Sequence, residues 1–161
     1  RFQQLDASMA GDFFGEKRLG RGLARLDWNG DGRMDFVVSN IGDTATLLTN
    51  QTPDVGGYLN VRLIGSRSPR DAIGTRIKVT AGEMTQERQL TSGDGFMASN
   101  QRQVQFGMAD RAVAESIKVM WPSGGTTELS NVPTDSTLIV VEGDRRAVVT
   151  DQNGDRLIDT Q

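Results

Sequence analysis

The chain has 161 residues, a formal net charge of −3, and neither cysteine nor histidine. Those absences exclude a disulfide framework, a thiolate metal site, and the commonest general base and zinc ligand. The weak acidic balance does not favour nucleic acid or an anionic membrane, and no apolar run approaches the ~20 residues that a membrane-spanning helix needs. The 19 glycines suggest frequent turns, as in an all-β protein. The chain starts at Arg1 rather than Met, so a processed or excised protein is expected.

In chain order, residues 1–20 read as an irregular lead-in, with Phe13-Phe14-Gly15 as their only dense apolar spot. Three short strands are expected at 22–26, 35–39 and 45–50. The segment 51–57 carries a proline and paired glycines and is the best domain boundary. Beyond it the alternation is clear. Leu59, Val61 and Leu63 alternate with Asn60 and Arg62; Ile77 and Val79 with Arg76 and Lys78. Val104 and Phe106 alternate with Gln103 and Gln105; Ile117, Val119 and Trp121 with Lys118 and Met120. Further strands fit 84–90, 126–129 and the continuous apolar run 138–141. About seven strands separated by glycine-rich turns predict an all-β, two-sheet β-sandwich. No segment carries a helical stripe. The predicted divisions are 1–55, 56–145 and an acidic tail at 146–161.

The chemistry is concentrated in Asp27-Trp28-Asn29-Gly30-Asp31-Gly32-Arg33-Met34-Asp35. Asp27, Asn29 and Asp31 offer side-chain oxygens at alternate positions, Gly32 permits a sharp turn, Arg33 offers its carbonyl, and Asp35 closes the set. A helix-loop-helix calcium site needs Glu at the twelfth position, which is Val38 here, and the residues after Asp35 read as a strand. The expectation is a Ca²⁺ loop within a β-hairpin. The bland alternative is a plain turn built on Asn-Gly and Asp-Gly, but that needs no carboxylate at both flanks, and three carboxylates on one loop repel unless a cation neutralises them. The same spacing returns in Asp151, Asn153, Asp155 and Asp159, with Leu157 as a carbonyl donor. There Arg156 replaces the turn glycine, so the segment stands open between a second Ca²⁺ loop and a solvated acidic tail.

Two stretches resemble known families. Gly20-Arg21-Gly22-Leu23-Ala24 through Asp35-Phe36-Val37-Val38-Ser39-Asn40 resembles an FG-GAP/VCBS-type repeat, the blade unit of integrin-α-like propellers. That resemblance implies Ca²⁺ at Asp27, Asn29, Asp31, the Arg33 carbonyl and Asp35. It also implies further blades upstream, because one blade cannot bury both of its faces. Residues 57–143 resemble the ASPIC/UnbV domain through Tyr58-Leu59-Asn60-Val61-Arg62-Leu63-Ile64-Gly65, Arg70-Asp71-Ala72-Ile73-Gly74-Thr75-Arg76, Ser92-Gly93-Asp94-Gly95-Phe96, Phe106-Gly107-Met108 and Trp121-Pro122-Ser123-Gly124. This implies a β-rich, extracytoplasmic, non-catalytic module. The tail after Val149 resembles the start of a dockerin-type calcium repeat.

Phe96 and Trp121 are the candidate ligand-binding aromatics. Phe96 sits in a glycine-rich loop; Trp121 is open between a sugar-stacking platform and a buried strand end. No phosphate-binding Gly-x-x-x-x-Gly-Lys loop and no Gly-x-Ser-x-Gly elbow occurs. The functional expectation is a secreted, calcium-binding module that adheres to a protein or glycan ligand at a cell surface or matrix, without membrane insertion or nucleic-acid binding. The rival is a carbohydrate-binding accessory module of a secreted enzyme.

Overall fold

The computed structural model describes residues 6–151 and 153–160. The first five residues of the expected lead-in, Gln152 of the tail, and Gln161 lie outside the described residues. A short helix, α1 (Ala7–Ala10), and a 3₁₀ turn at Asp12–Gly15 precede the sheets.

The first sheet is β1 (Gly20–Leu26), β2 (Asp35–Asn40) and β3 (Thr46–Leu48), antiparallel in that order. The pairing of Leu26 with Asp35 closes the hairpin on the 27–34 loop. The sandwich follows: β4 (Gly57–Ile64), β5 (Arg76–Ala81), β6 (Met84–Gln89), β7 (Val104–Ala109), β8 (Val113–Met120), β9 (Thr126–Pro133), β10 (Ser136–Val141), β11 (Arg146–Asp151) and β12 (Gly154–Asp159). One sheet runs β12-β11-β10-β4-β7 and the facing one β6-β5-β8-β9. The pairing of β4 with β10 is parallel; the other pairings within these sheets are antiparallel.

The alternating apolar residues do what their period requires. Leu59, Val61, Phe106, Met108, Leu138 and Val140 on one sheet meet Ile77, Val79, Ile117, Val119 and Val132 on the other in one buried core. Each such side chain contributes about 2 kcal/mol relative to exposure. Residues expected as an acidic tail belong to this body. Ala147 and Val149 are buried in the core, and β11 and β12 extend the larger sheet as a hairpin.

One buried carboxylate organises the end of the sandwich. Glu142, just past β10, accepts hydrogen bonds from the backbone N–H groups of Ser66, Arg67 and Ser68 at 2.9, 2.8 and 2.7 Å. The hydroxyls of Ser68 and Ser123 donate to its other oxygen. It thereby ties the loop after β4 to the Trp121-Pro122-Ser123-Gly124 turn. Arg70-Asp71 lies in that loop as a turn, with the Arg70 carbonyl accepting from Gly65 N–H at 3.0 Å.

Candidate metal centre

The 27–34 loop curls because two glycines leave the usual backbone region: Gly30 has φ +73° and Gly32 φ +77°. Curling turns an alternating set of donors inward. Asp27 is 7% exposed; its Oδ1 accepts from Asp31 N–H and its Oδ2 from Gly32 N–H, both at 3.0 Å. Asn29 Nδ2 donates to Asp31 Oδ2 at 2.8 Å, and Arg33 N–H donates to Asp31 Oδ1 at 2.8 Å. That Arg33 N–H holds the Asp31 carboxyl below the ordinary carboxylate range. The Asn29 amide and the Arg33 charge add to it against a burial effect of opposite sign. The Arg33 guanidinium pairs with the same carboxylate, its buried Nε lying 3.7 Å from Asp31 Oδ2, while its Nη1 donates to Thr52 O at 3.1 Å.

Asp35 is fully buried and faces elsewhere. Its oxygens accept from Trp28 N–H at 3.1 Å and Asn50 N–H at 2.7 Å, pinning the loop's start to the chain beyond β3. Asp27, Asn29 and Asp31 are thus brought together, with Arg33 in the same turn, while Asp35 is bonded to Trp28 and Asn50 instead. Among the described residues no group of three or more acidic side chains encloses a finished ion site. Among the described residues, too, neither Asp27 nor Asp35 makes a salt bridge. Buried carboxylates held only by neutral donors suit a cation, since a buried charge is normally paired or coordinated.

The loop is seated on the outer face of the larger sheet. Tyr58 O–H donates to Gly30 O at 3.2 Å, Gln105 Nε2 to Gly32 O at 2.7 Å, and Asn60 Nδ2 to Asp27 Oδ2 at 3.2 Å. A Cβ on Gly32 would stand 2.0 Å from Tyr58 Cδ1, so the tyrosine ring and the loop backbone lie in direct contact. Burial, followed by the charges of Asp27, Asp135 and Asp31, pushes the Tyr58 hydroxyl above its ordinary pKa. Of the three seat residues, the sequence offers Asn60 and Gln105 only as the polar side of their strands and Tyr58 only within the ASPIC/UnbV-like segment. Their signal is long-range and has no local spacing.

The C-terminal pattern does not converge. β12 is extended, so Asp155 and Asp159 lie about 13 Å apart along the strand. Asp155 pairs across to Thr150, whose hydroxyl donates to it at 2.6 Å, and Asp159 lies opposite Arg146. Asp151 accepts from Asn153 N–H at 2.7 Å and from the Arg156 guanidinium, so a cationic side chain already occupies it. Leu157 lies opposite Val148 with its side chain 58% exposed. The expected second metal loop is a β-hairpin with acidic residues on it.

The two aromatics part company. Trp121 is 4% exposed and its indole N–H donates to Thr127 Oγ1 at 2.9 Å, so burial leaves it no face for a ligand. Phe96 is 62% exposed with the Arg21 guanidinium 4.7 Å above its ring. The loop carrying Phe96 covers the free edge of β1: Arg25 N–H donates to Asn100 Oδ1 at 2.9 Å, and Gln101 N–H to Arg25 O at 3.0 Å. Gly22 permits that approach, since a Cβ there would lie 3.2 Å from Phe96 O. Beside this loop opens a polar cleft of about 500 Å³ lined by Arg25, Arg88, Gln89, Gln101, Gln103 and Gln105 among others.

A β-sandwich with these segments in this order defines the class. The ASPIC and UnbV family matches residues 65–147, and the chain belongs to that family. The match starts after β4 and ends within β11, so the strands that complete the larger sheet lie partly outside it. No match was found among curated proteins.

Proposed function

We propose that the chain is a non-catalytic, calcium-binding β module that works outside the cell and presents a binding surface to a protein or glycan ligand. In this reading residues 1–55 are an FG-GAP/VCBS-type repeat and 56–145 the core of the ASPIC/UnbV sandwich. The observation that carries it is the buried carboxylate of Asp27, without a cationic partner among the described residues, on a loop that also gathers Asn29 and Asp31. All are oxygen donors, which suits Ca²⁺ rather than a soft metal. When bound, the ion would supply the positive charge that the Asp27 carboxylate otherwise lacks. At a hundredfold excess over Kd this stabilises the fold by ~2.7 kcal/mol. Extracellular modules often bind at ~10⁻⁴–10⁻³ M, which suits millimolar calcium outside a cell.

The expected result is a melting temperature that rises with calcium and falls in chelator. Asp31→Ala should abolish most of that difference while leaving the melting temperature in chelator near the unmutated value. A melting curve of the unmutated protein that calcium does not move refutes the reading.

The rival, glycan binding, draws on one feature: the amide- and guanidinium-lined cleft beside the loop that carries the exposed Phe96. Such groups hydrogen-bond hydroxyl-rich ligands. Glycan-array binding lost on Phe96→Ala but retained by Asp31→Ala favours this reading.

A further inference from the structure

Strand alternation puts Asn60 on the outer face of the larger sheet, between Leu59 and Val61 of the core, where water should reach it. It is only 2% exposed, because the 27–34 loop covers it. Its Nδ2 meets Asp27 Oδ2 at 3.2 Å, but its Oδ1 is buried with no hydrogen-bond partner. A buried amide oxygen with no donor is costly and uncommon in a folded protein. The two ends of an Asn amide occupy nearly the same volume. A half-turn of that group therefore brings the oxygen to the Asp27 carboxylate. Two oxygens face each other favourably only with a cation between them.

We propose that Asn60 Oδ1 is a ligand of the ion held by Asp27, Asn29 and Asp31, so that the hairpin and the sandwich coordinate one calcium jointly. This rests on the calcium reading above. Amide oxygens are ordinary Ca²⁺ donors, and the position is fixed from both sides. Tyr58 O–H on Gly30 O and Gln105 Nε2 on Gly32 O hold the same loop to the same face. The ion then fastens two modules rather than merely filling a turn, and its affinity reports whether they are docked.

The test is calorimetric titration of the 161-residue chain with calcium alone, with melting curves in calcium and in chelator. Asn60→Ala should weaken binding about tenfold or more. Asn60→Asp keeps an oxygen and adds charge. It should bind at least as tightly as the unmutated chain and show a larger gap between its two melting temperatures. If Asn60 is only a hydrogen-bond donor to Asp27, Asn60→Asp sets two carboxylates against each other, loses stability in both conditions and gains no affinity; that result overturns the proposal even where Asn60→Ala does not fold. Calcium binding by the unmutated chain that Asn60→Ala leaves unchanged overturns the joint site alone and leaves the loop site standing. An unmutated chain that takes up no calcium overturns both.

Discussion

Glu142→Ala should cost about 4 kcal/mol in a urea unfolding experiment, a loss as large as that from emptying a core position. The substitution leaves three backbone N–H groups and two serine hydroxyls facing a hole. Each of those donors was satisfied by one carboxylate. Glu142→Gln should recover roughly half of the loss. The amide oxygen can face the three N–H groups of Ser66 to Ser68, while its NH₂ donates to the hydroxyls instead of accepting from them.

The carboxylate also sets an acid limb. Burial alone would raise its pKa, but the hydrogen bonds from Ser123, Ser68, Arg67 and Ser66 outweigh that and hold it down at about 2, against an ordinary 4.5. The folded state therefore binds fewer protons than the unfolded state between those values. The contribution of Glu142 is complete above the unfolded pKa and is lost as pH falls toward about 2. Urea midpoints measured from neutral pH downward should fall more steeply for the unmutated chain than for Glu142→Gln. Parallel pH profiles would show that Glu142 does not carry the limb.

The second large effect is expected at the seat of the loop. Gly32→Ala places a methyl 2.0 Å from Tyr58 Cδ1 on a residue with φ +77°. Neither the ring, flanked by the loop, nor the hairpin backbone can yield without parting the contact. The cost should be about 3 kcal/mol, of which about 1 kcal/mol is the backbone conformation itself. In a Tyr58→Ala background the same substitution should cost only that smaller part, so a double-mutant cycle isolates the clash. Tyr58 is the sole tyrosine, so its ionisation can be followed by absorbance. In Gly32→Ala its pKa should drop back toward the ordinary value, because burial and the nearby Asp27, Asp135 and Asp31 are what raise it. Additive costs in the cycle, with an unshifted tyrosine titration, would mean that loop and ring are not coupled.

The sandwich was legible where one side of a strand is apolar and the other polar. Leu59 to Leu63, Ile77 and Val79, Val104 and Phe106, and Ile117 to Val119 all fall in strands with the inward face as read. The tail stood open between two readings for a reason that lies in the geometry. Donors at alternate positions are the mark of a cation loop, but they are equally the same-side residues of an extended strand. What separates the two is backbone curvature. Gly30 and Gly32 both adopt positive φ and close the first loop, whereas the second run has one such residue, Gly154, and is extended as β12 from there to Asp159. Two glycines inside the acidic run, rather than the acidic spacing, were the usable signal.

Glu142 and Asn60 escaped the sequence reading because nothing near them in the chain announces their role. Glu142's backbone partners lie 74 to 76 residues upstream, and Asn60 meets Asp27 across 33. Trp121 was readable either way from its strand, and a threonine six residues on, Thr127, settled it as an interior side chain.

The lateral bonding of β4 to β10 bears on how the protein is made. These neighbours belong to the early and late parts of the chain, Leu59 lying against Ser136 and Ile64 against Val141. On a ribosome, β4 emerges with both edges unpaired, gains β7 only after some forty more residues, and waits for some seventy before β10 arrives. The β1–β2–β3 meander closes over short distances and can be complete long before. Synthesis therefore delivers a finished three-stranded sheet first and holds an open-edged, aggregation-prone one until β10 is released.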